Sequence, residues 1–371
     1  MDPVALRQHV WRGLPIRQGD GMGKRWAIVV CGAILAGVLL VVAACGSGGE
    51  TTTSASSSSA GTTSQTTQKA AADSQTTEKA AADTSLFGVV VGGKVGYIDQ
   101  TGQMVISPQF ARVTVFDEGL AAAQDGTTEK WGFIDTAGKF VIKPQYPEAG
   151  RFSEGLAGVL DPATGKWGYV DPTGKMVVSP QFLKAGDFHG GLANVLDPAT
   201  SKWGYIDPTG KMVIEPQWHS AQGQAALPFS EGLAVVFDET IGWGYIDPTG
   251  KYVLKPQYNY AGSFSSGLAP FAVNRDNVSK FGYIDKSGKT VIEPQFKNAG
   301  AFADGLAGVQ DAATQTWGYI DQTGKFVIQP SYGAAFAFSN GLAMVAIGDY
   351  SQGNFPYIDK TGKTVWAPPG K

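Results

Sequence analysis

A twelve-residue phrase that recurs at a nearly fixed interval constrains the fold of this chain more than any other feature. Its clearest copy runs from Trp203 to Ile214, and seven related copies lie between residues 95 and 371. Successive copies are 36 to 40 residues apart and open at Val95, Trp131, Trp167, Trp203, Trp243, Phe281, Trp317 and Phe355. A fixed period with small insertions is typical of repeat architectures. The sequence therefore predicts eight copies of one structural unit.

Each copy has the pattern of a β-hairpin with one further strand ahead of it. Trp-Gly-Tyr-Ile and Met-Val-Ile are short aromatic and β-branched runs, which favour strands and are too short for helices. Between them, residues 207–210 (Asp-Pro-Thr-Gly) have the composition of a tight turn. A Phe-x-x-Gly-Leu-Ala phrase, such as residues 152–157, begins the preceding strand. The sequence therefore predicts an all-β fold of eight three-stranded antiparallel meanders.

These phrases resemble the WG-repeat (KWG) family of bacterial β-repeat proteins over roughly residues 86–368. The resemblance rests on Trp/Phe-Gly-Tyr-Ile-Asp, Thr-Gly-Lys, Val-Ile-x-Pro-Gln-aromatic and Phe-x-x-Gly-Leu-Ala, and the departures include Val95, Phe281, Phe355 and Pro356. It implies a β-propeller-like array, with an open superhelical β-solenoid as the alternative. It also implies a binding or scaffolding role without a shared reaction. Because both ends of the array have their own strands, no sheet is expected to be shared between the chain ends.

The N-terminal segment has the pattern of an export signal. Lys24 and Arg25 precede an apolar run from Trp26 to Ala44, which ends in Val-Ala-Ala-Cys45. The run resembles a bacterial lipoprotein signal, which implies cleavage before Cys45 and lipid attachment at Cys45. The alternative is an uncleaved transmembrane helix, since about 20 apolar residues span a bilayer. We expect residues 1–45 to be the export segment, with Met22 as the working start of translation.

Residues 46–85 are rich in Ser, Thr, Ala and Gln and contain a ten-residue duplication, 64–73 and 74–83. Such a composition cannot bury enough apolar surface to offset the entropy of ordering, so we expect a disordered tether. Its roughly 40 residues would hold the folded part on the order of 35 Å from the membrane. Residues 86–371 then form the β domain. That domain contains no cysteine, so no disulfide is available to it.

The candidate sites for chemistry have simpler structural explanations. The Asp that opens each tight turn is favoured there for its backbone hydrogen bonds, and Asp-x-Thr-Gly supplies too few oxygens for calcium. The recurrent Trp residues are expected to pack in the core rather than to stack ligands. His189 and His219 are expected to be polar loop residues, because neither recurs beside other metal ligands or a nucleophile. We therefore expect no enzyme, no metal and no cofactor. The formal net charge of −3 and the lack of a basic stripe argue against nucleic acid.

Taken together, these features predict a surface lipoprotein anchored to the cell membrane, with its repeats on the extracytoplasmic side. The repeats are expected to bind a cell-wall or extracellular protein or glycan. Loops that vary between copies, such as residues 219–228 and 237–242, would carry the specificity. A structural envelope spacer without a specific ligand and an accessory enzyme module are the alternatives.

Overall fold

The computed structural model describes residues 85–219, 225–275, 278–348 and 353–370. In these ranges the regular structure is entirely β, with thirty strands arranged in eight antiparallel sheets. We call the sheets blades 1 to 8 in chain order. The expected export segment and most of the expected tether, including Cys45, lie outside the described residues. Within the described ranges, no helix has the length and hydropathy needed to cross a membrane.

The first four blades span residues 87–218. Blade 1 contains β1 (Phe87–Val91), β2 (Lys94–Ile98) and β3 (Met104–Phe110). Blade 2 contains β4 (Arg112–Val113), β5 (Ala121–Gln124), β6 (Trp131–Ile134) and β7 (Phe140–Tyr146). Blade 3 contains β8 (Ala149–Ser153), β9 (Leu156–Leu160), β10 (Trp167–Val170) and β11 (Met176–Phe182). Blade 4 contains β12 (Lys184–Ala185), β13 (Ala193–Leu196), β14 (Trp203–Ile206) and β15 (Met212–Trp218).

The last four blades span residues 234–366. Blade 5 contains β16 (Ala234–Asp238), β17 (Gly242–Ile246) and β18 (Tyr252–Tyr258). Blade 6 contains β19 (Tyr260–Ala261), β20 (Leu268–Arg275), β21 (Val278–Asp285) and β22 (Thr290–Phe296). Blade 7 contains β23 (Asn298–Ala299), β24 (Ala307–Gln310), β25 (Trp317–Ile320) and β26 (Phe326–Tyr332). Blade 8 contains β27 (Ala334–Ala335), β28 (Leu342–Ala346), β29 (Tyr357–Asp359) and β30 (Thr364–Trp366).

The predicted three-stranded meander is present in all eight blades, and six blades add a short strand in front of it. We number the strands of a blade first to fourth, so that blades 1 and 5 have only the second, third and fourth. The first strand lies in the segment that the sequence had left irregular. It pairs with the second strand over as few as two residues, as in β12 and β13. Pairs this short have no clear alternation of apolar and polar residues, so the sequence pattern did not reveal them.

The turn between the third and fourth strands forms as predicted. In blade 4, Asp207 Oδ1 accepts hydrogen bonds from the Thr209 amide, the Thr209 hydroxyl and the Lys211 amide, at 2.6–3.1 Å. Seven of the eight turns repeat all three bonds. These bonds favour the ionised carboxylate and therefore lower the pKa of Asp207. The bond from the Thr209 hydroxyl has the largest effect. The repeated Asp is therefore confirmed as a turn residue.

The fourth strand crosses closely over the glycine of each Trp-Gly pair. In blade 4, Trp203 pairs with Trp218 and Tyr205 pairs with Ile214. Gly204, the one residue between the two pairs on the third strand, therefore lies opposite residues 215–217 of the fourth strand. This bulge carries the fourth strand across Gly204, where a Cβ would lie 2.6 Å from the Ile214 carbonyl oxygen. Only glycine fits under such a close approach of backbone. The glycine of the phrase is thus required by the crossing strand, not by a turn.

The hydrophobic core lies between blades, and an aromatic pair marks each junction. The Tyr or Phe of the third strand packs on a Phe of the next blade, which lies just before the turn that leads into that blade's second strand. These aromatic centroids are 4.7–4.9 Å apart at seven junctions. Of the five recurrent tryptophans, Trp167, Trp203 and Trp317 are buried, as predicted, whereas Trp131 and Trp243 are partly exposed. The fully buried Tyr, more than the Trp, therefore forms the spine of the core.

Blade 8 packs on blade 1, so the array closes into an eight-bladed β-propeller. Phe87, Val89 and Ile98 of blade 1 form one cluster with residues of blade 8, including Leu342 and Tyr357. Phe87 stands where the other blades have the Ala of Gly-Leu-Ala, and its ring packs edge-on against Tyr357 at 5.5 Å. The propeller-like prediction is confirmed. As expected, the chain ends share no blade in the part that the structure describes.

Candidate functional site

The turns that join first and second strands lie in a row at one end of the propeller. We call them first turns; each has two central residues with positive φ, such as Glu154 (53°) and Gly155 (79°). At four junctions, a carboxylate of one first turn accepts a backbone amide of the first turn in the next blade. Glu154 of blade 3 accepts the amides of Gly190 and Gly191 of blade 4, at 2.6 and 2.8 Å. A backbone amide is thus held by a carboxylate of the preceding blade, which fixes the spacing of the row.

Four polar side chains beside this row lie in one sector, and we call them the polar patch: Asp117, Arg151, Asp187 and His189. Arg151 Nε lies 2.8 Å from Asp187 Oδ2, across the junction of blades 3 and 4. The Arg151 side chain is only 13% exposed and that of Asp187 is 26% exposed, so this ion pair is partly removed from water. Charges that are half-buried in this way interact more strongly than surface pairs.

His189 completes the contacts of Arg151. The Arg151 Nη2 atom lies 3.3 Å from His189 Nε2. Because a guanidinium can only donate, Nε2 is the acceptor and the imidazole is neutral, with its proton on Nδ1. In the same junction, the Ser153 hydroxyl donates to the Phe188 carbonyl at 2.6 Å. Polar contacts of Arg151 and Ser153 therefore join β8 of blade 3 to residues 187–189 of blade 4.

The charges of the polar patch shift the pKa values of two of its members. Burial lowers the pKa of His189, and the Arg151 guanidinium lowers it further, while the carboxylates of Asp187, Glu154 and Asp117 act against them. Burial raises the pKa of Asp117, an effect that Arg151 partly offsets. The environment thus keeps His189 uncharged near neutral pH. Perturbed titrating groups of this kind gather at functional sites more often than elsewhere.

The polar patch consists of departures from the repeat. At the position before the conserved Phe, blades 3 and 4 carry Arg151 and Asp187, and two positions further on, blades 2 and 4 carry Asp117 and His189. Small or uncharged residues occupy these two positions in the other blades: Val115, Pro228, Ser263, Ala301 and Ala337 at the first, and Ser153, Ser230, Ser265, Ala303 and Ser339 at the second. The fold does not require charge at either position.

The sequence did not single out the polar patch, although its signal was present. Comparing the two positions that flank the conserved Phe across all copies would have shown four titratable residues in three consecutive units. His189 was expected in a polar loop, and it lies instead at the start of a first turn, partly buried against Arg151. His219 remains an exposed residue, 3.0 Å from Glu239. The two histidines therefore occupy different environments.

The described residues offer no cluster of three or more side chains suited to a metal ion. The expected lipid-attachment residue, Cys45, lies outside the described residues and stays a prediction. The arrangement of the polar patch, one cation among carboxylates and a neutral imidazole, can donate and accept hydrogen bonds to a polar partner. It does not place a nucleophile beside a general base, as acyl transfer or hydrolysis through a triad would need.

Solved structures that match this chain share little sequence with it, and their TM-scores are below 0.5. BamB from Moraxella catarrhalis matches at 13% identity and a TM-score of 0.42, over 77% of this chain and 85% of that chain. The CRINKLY WD40 ectodomain from the Arabidopsis thaliana receptor kinase ACR4 matches at 10% identity and a TM-score of 0.41, over 68% of this chain and 96% of that chain. Kluyveromyces lactis Hsv2 with its complete loop 6CD matches at 12% identity and a TM-score of 0.40, over 56% of this chain and 70% of that chain.

The family assignment comes from the repeats themselves. No curated protein matches the chain. The profile of the WG containing repeat matches seven times, and together the matches cover more than half of the chain: residues 96–126, 131–160, 167–196, 203–238, 243–275, 281–311 and 317–350. Each match begins at or next to the Trp-Gly or equivalent pair that opens a third strand, so the profile follows the same period as the blades. The chain belongs to the family of WG-containing repeat proteins.

Proposed function

We propose that this protein is a binding scaffold of the cell envelope, whose propeller presents the polar patch to a protein or glycan partner. The observation that carries the proposal is the concentration of charged departures from the repeat in one sector. A residue that recurs in every blade serves the fold, as the turn Asp and the junction Tyr do. Residues that break the repeat at exposed or partly exposed positions are free to serve recognition.

The energetics of the polar patch favour a recognition role over a purely structural one. Five other occupants of the Arg151 position, including Pro, Ser and Ala, form the same blade junction without a charge. A partly buried ion pair costs desolvation that its attraction only partly offsets, so it adds little stability compared with such small residues. Its retention is better explained by a polar partner that the network orients. A protein partner with a complementary polar surface or a glycan would meet donors and acceptors already fixed in place.

Capture from envelope extract tests this proposal. The full chain is compared with a variant carrying Arg151→Ala and Asp187→Ala, which restores the small residue of blades 7 and 8, and with the control Ser263→Ala at the same position of blade 6. We expect the wild type and the control to capture a common partner, read by mass spectrometry and glycan array, and the double variant to lose it. A common partner that the double variant also captures would show that the polar patch is not its binding site. Capture of no specific partner by any of the three would favour the envelope spacer without a specific ligand.

The proposal includes lipid anchoring at Cys45, with the propeller on the extracytoplasmic side of the membrane. The Val-Ala-Ala residues before Cys45, which resemble a lipoprotein signal, support the lipid anchor. A diacylated cysteine followed by a flexible polar segment would present the propeller at a distance from the bilayer. We expect Cys45→Ala to leave a larger, uncleaved precursor that no longer takes up an alkyne fatty acid. Wild-type protein that fails to label and keeps residues 24–44 would indicate a transmembrane anchor instead.

A further inference from the structure

The first turn of blade 4 differs from the others in its backbone. Each first turn places two successive residues at positive φ, and the second of them is glycine in all seven that the structure describes. Among these seven, only the turn of blade 4 has glycine at both positions, Gly190 (64°) and Gly191 (76°). Glycine adopts positive φ without steric cost, but it also has the widest choice of other conformations. This turn is therefore the one in the row that its own residues hold least firmly.

Two contacts from blade 3 hold this turn. The first comes from Glu154, whose two carboxylate oxygens accept the amides of Gly190 and Gly191 at 2.6 and 2.8 Å. At the three other junctions with a bond of this kind, the carboxylate accepts a single amide. The second contact joins His189 Nε2 to Arg151 Nη2 at 3.3 Å. The position of the turn therefore depends on side chains that reach it across the junction of blades 3 and 4.

Arg151 is held in place independently of the turn. It lies in β8, which is the longest first strand, at a bulge where residues 150–151 lie opposite Gly158 alone. Bulges re-aim side chains and are frequent next to functional sites. The Nε atom of Arg151 is bound to Asp187 at 2.8 Å. The guanidinium therefore keeps its position even when its contact with His189 changes.

The contact between His189 and Arg151 exists in only one protonation state. A guanidinium has donors and no acceptor, so His189 Nε2 must be unprotonated to accept from it. A proton on Nε2 would bring two donors and two positive charges together at 3.3 Å. Burial and the Arg151 charge lower the pKa of His189, so the proton is taken up below the ordinary value of 6.5. The contact is therefore stable at neutral pH and is lost in acid.

A protonated His189 has new partners close by. The charged groups that act on its imidazole come from blades 2, 3 and 4: Arg151, Asp187, Glu154 and Asp117. Arg151 repels the added proton, and the three carboxylates attract it. A hydrogen bond between an imidazolium and a carboxylate is stronger than one between a neutral amide and a carboxylate. Glu154 therefore has a better donor in the imidazolium than in the two glycine amides of the turn.

We propose that the first turn of blade 4 is an acid-sensitive switch that controls binding at the polar patch. At neutral pH, Glu154 and the neutral His189 hold the turn against blade 3. In acid, the protonated His189 leaves Arg151 and binds the Glu154 carboxylate, which releases the two glycine amides. The glycine pair allows the backbone to move with the histidine. The inference deepens the proposed function by naming its regulation, and its effect on binding rests on that function.

Glycine amide spectra test the switch without any partner. In the full chain labelled with [15N]glycine, the amide signals of Gly190 and Gly191 should shift between pH 8 and pH 5, with the same midpoint as the His189 imidazole. The amide of Gly155, which Glu118 accepts at 2.9 Å, is the internal control and should not share that midpoint. His189→Gln should abolish the shift, because a glutamine side chain does not titrate. Signals that stay constant, or that shift equally in His189→Gln, would overturn the proposal.

Capture from envelope extract tests the effect on binding. The wild type should retain the common partner at pH 7.5 and lose it at pH 5.5. Gly190→Asn places at this position the residue type that Asn340 has in blade 8, where φ is 48°. It narrows the backbone choices of the turn and should retain the partner at both pH values. Equal loss from both proteins at pH 5.5, or full retention by the wild type, would contradict the switch. A partner whose capture does not depend on Arg151 and Asp187 would count against the proposed function instead, and the glycine spectra then decide the switch alone.

Discussion

Individual residues in this protein divide into those that the repeat uses and those that break it. The turn Asp, the Trp-Gly glycine and the junction Tyr perform the same task in nearly every blade. The members of the polar patch do not recur, and their contacts with one another cross from one blade to the next. Arg151 is central to them, because it is the one cation of the patch and contacts both Asp187 and His189. A substitution at Arg151 therefore changes the pKa of His189 and of Asp117 as well as its own contacts.

The lowered pKa of His189 makes part of the stability depend on pH. Its pKa in the folded protein lies below the ordinary value of 6.5, so the unfolded chain binds the proton first as the pH falls. The free energy of unfolding should therefore decrease as the pH drops below about 6.5 and level off below the folded pKa. Urea midpoints between pH 5 and pH 8 measure this, and His189→Gln should flatten the slope. The exposed His219→Gln is the matched control. Parallel curves for wild type and His189→Gln would contradict the assignment.

Among the structural elements, the hairpin of the third and fourth strands has the strictest requirements for particular residues. Its Asp turn is local and depends on four residues, whereas its bulge brings the fourth-strand backbone over a glycine of the third strand. The same close approach occurs in seven blades, at Gly96, Gly132, Gly168, Gly204, Gly244, Gly282 and Gly318. Blade 8 differs, with Pro356 at this position and a three-residue fourth strand that ends at Trp366. The crossing therefore accompanies the longer fourth strand.

Gly204→Ala should destabilise blade 4 through this crossing. The added methyl would lie 2.6 Å from the Ile214 carbonyl oxygen and 2.9 Å from the Pro216 nitrogen, both of which are backbone atoms. Overpacking against backbone costs about 3 kcal/mol at the upper end of its usual range. Gly126→Ala is the control, because nothing lies within 4 Å of its added Cβ. Chemical denaturation of both variants measures the difference, and equal midpoints would show that the crossing strand can yield.

For the whole molecule, the decisive feature is closure between blades 8 and 1. The contacts of Phe87 with Tyr357 and of Gln100 with the Asn340 carbonyl join residues that are 240 or more positions apart. In an open array each repeat depends mainly on its neighbours, so damage stays local. In a closed propeller every blade has two neighbours, and loss of one blade opens the circle. The described propeller should therefore unfold as one cooperative unit.

Trp203→Ala tests this cooperativity. Trp203 is 7% exposed and packs in the cluster between blades 4 and 5, so truncation should cost about 3–5 kcal/mol. Hydrogen exchange should then show a loss of protection in all eight blades, including blades 1 and 8, which do not touch Trp203. Loss confined to blades 3 to 5 would mean that the blades unfold independently. Unchanged protection throughout would place Trp203 outside the core.

Features that arise within one repeat were predictable from the sequence alone. The number of units, their three long strands, the Asp turn and the family follow from residues that are adjacent or a few positions apart, because strand and turn preferences are local. The burial of Trp203 followed from its recurrence in the repeat, and the absence of a shared blade followed from the strands present at both ends of the array. The Tyr205 position could have been identified as the core spine in the same way, since it recurs as faithfully as the Trp.

The choice between a closed propeller and an open solenoid became clear from the packing of blade 8 on blade 1. The choice depends on the small rotation between successive sheets, which accumulates over eight blades and is set by side-chain packing at the junctions, not by any single repeat. The same reason explains the polar patch. Its members Asp117, Arg151 and His189 come from three units. They meet only because the first turns of neighbouring blades stack in register.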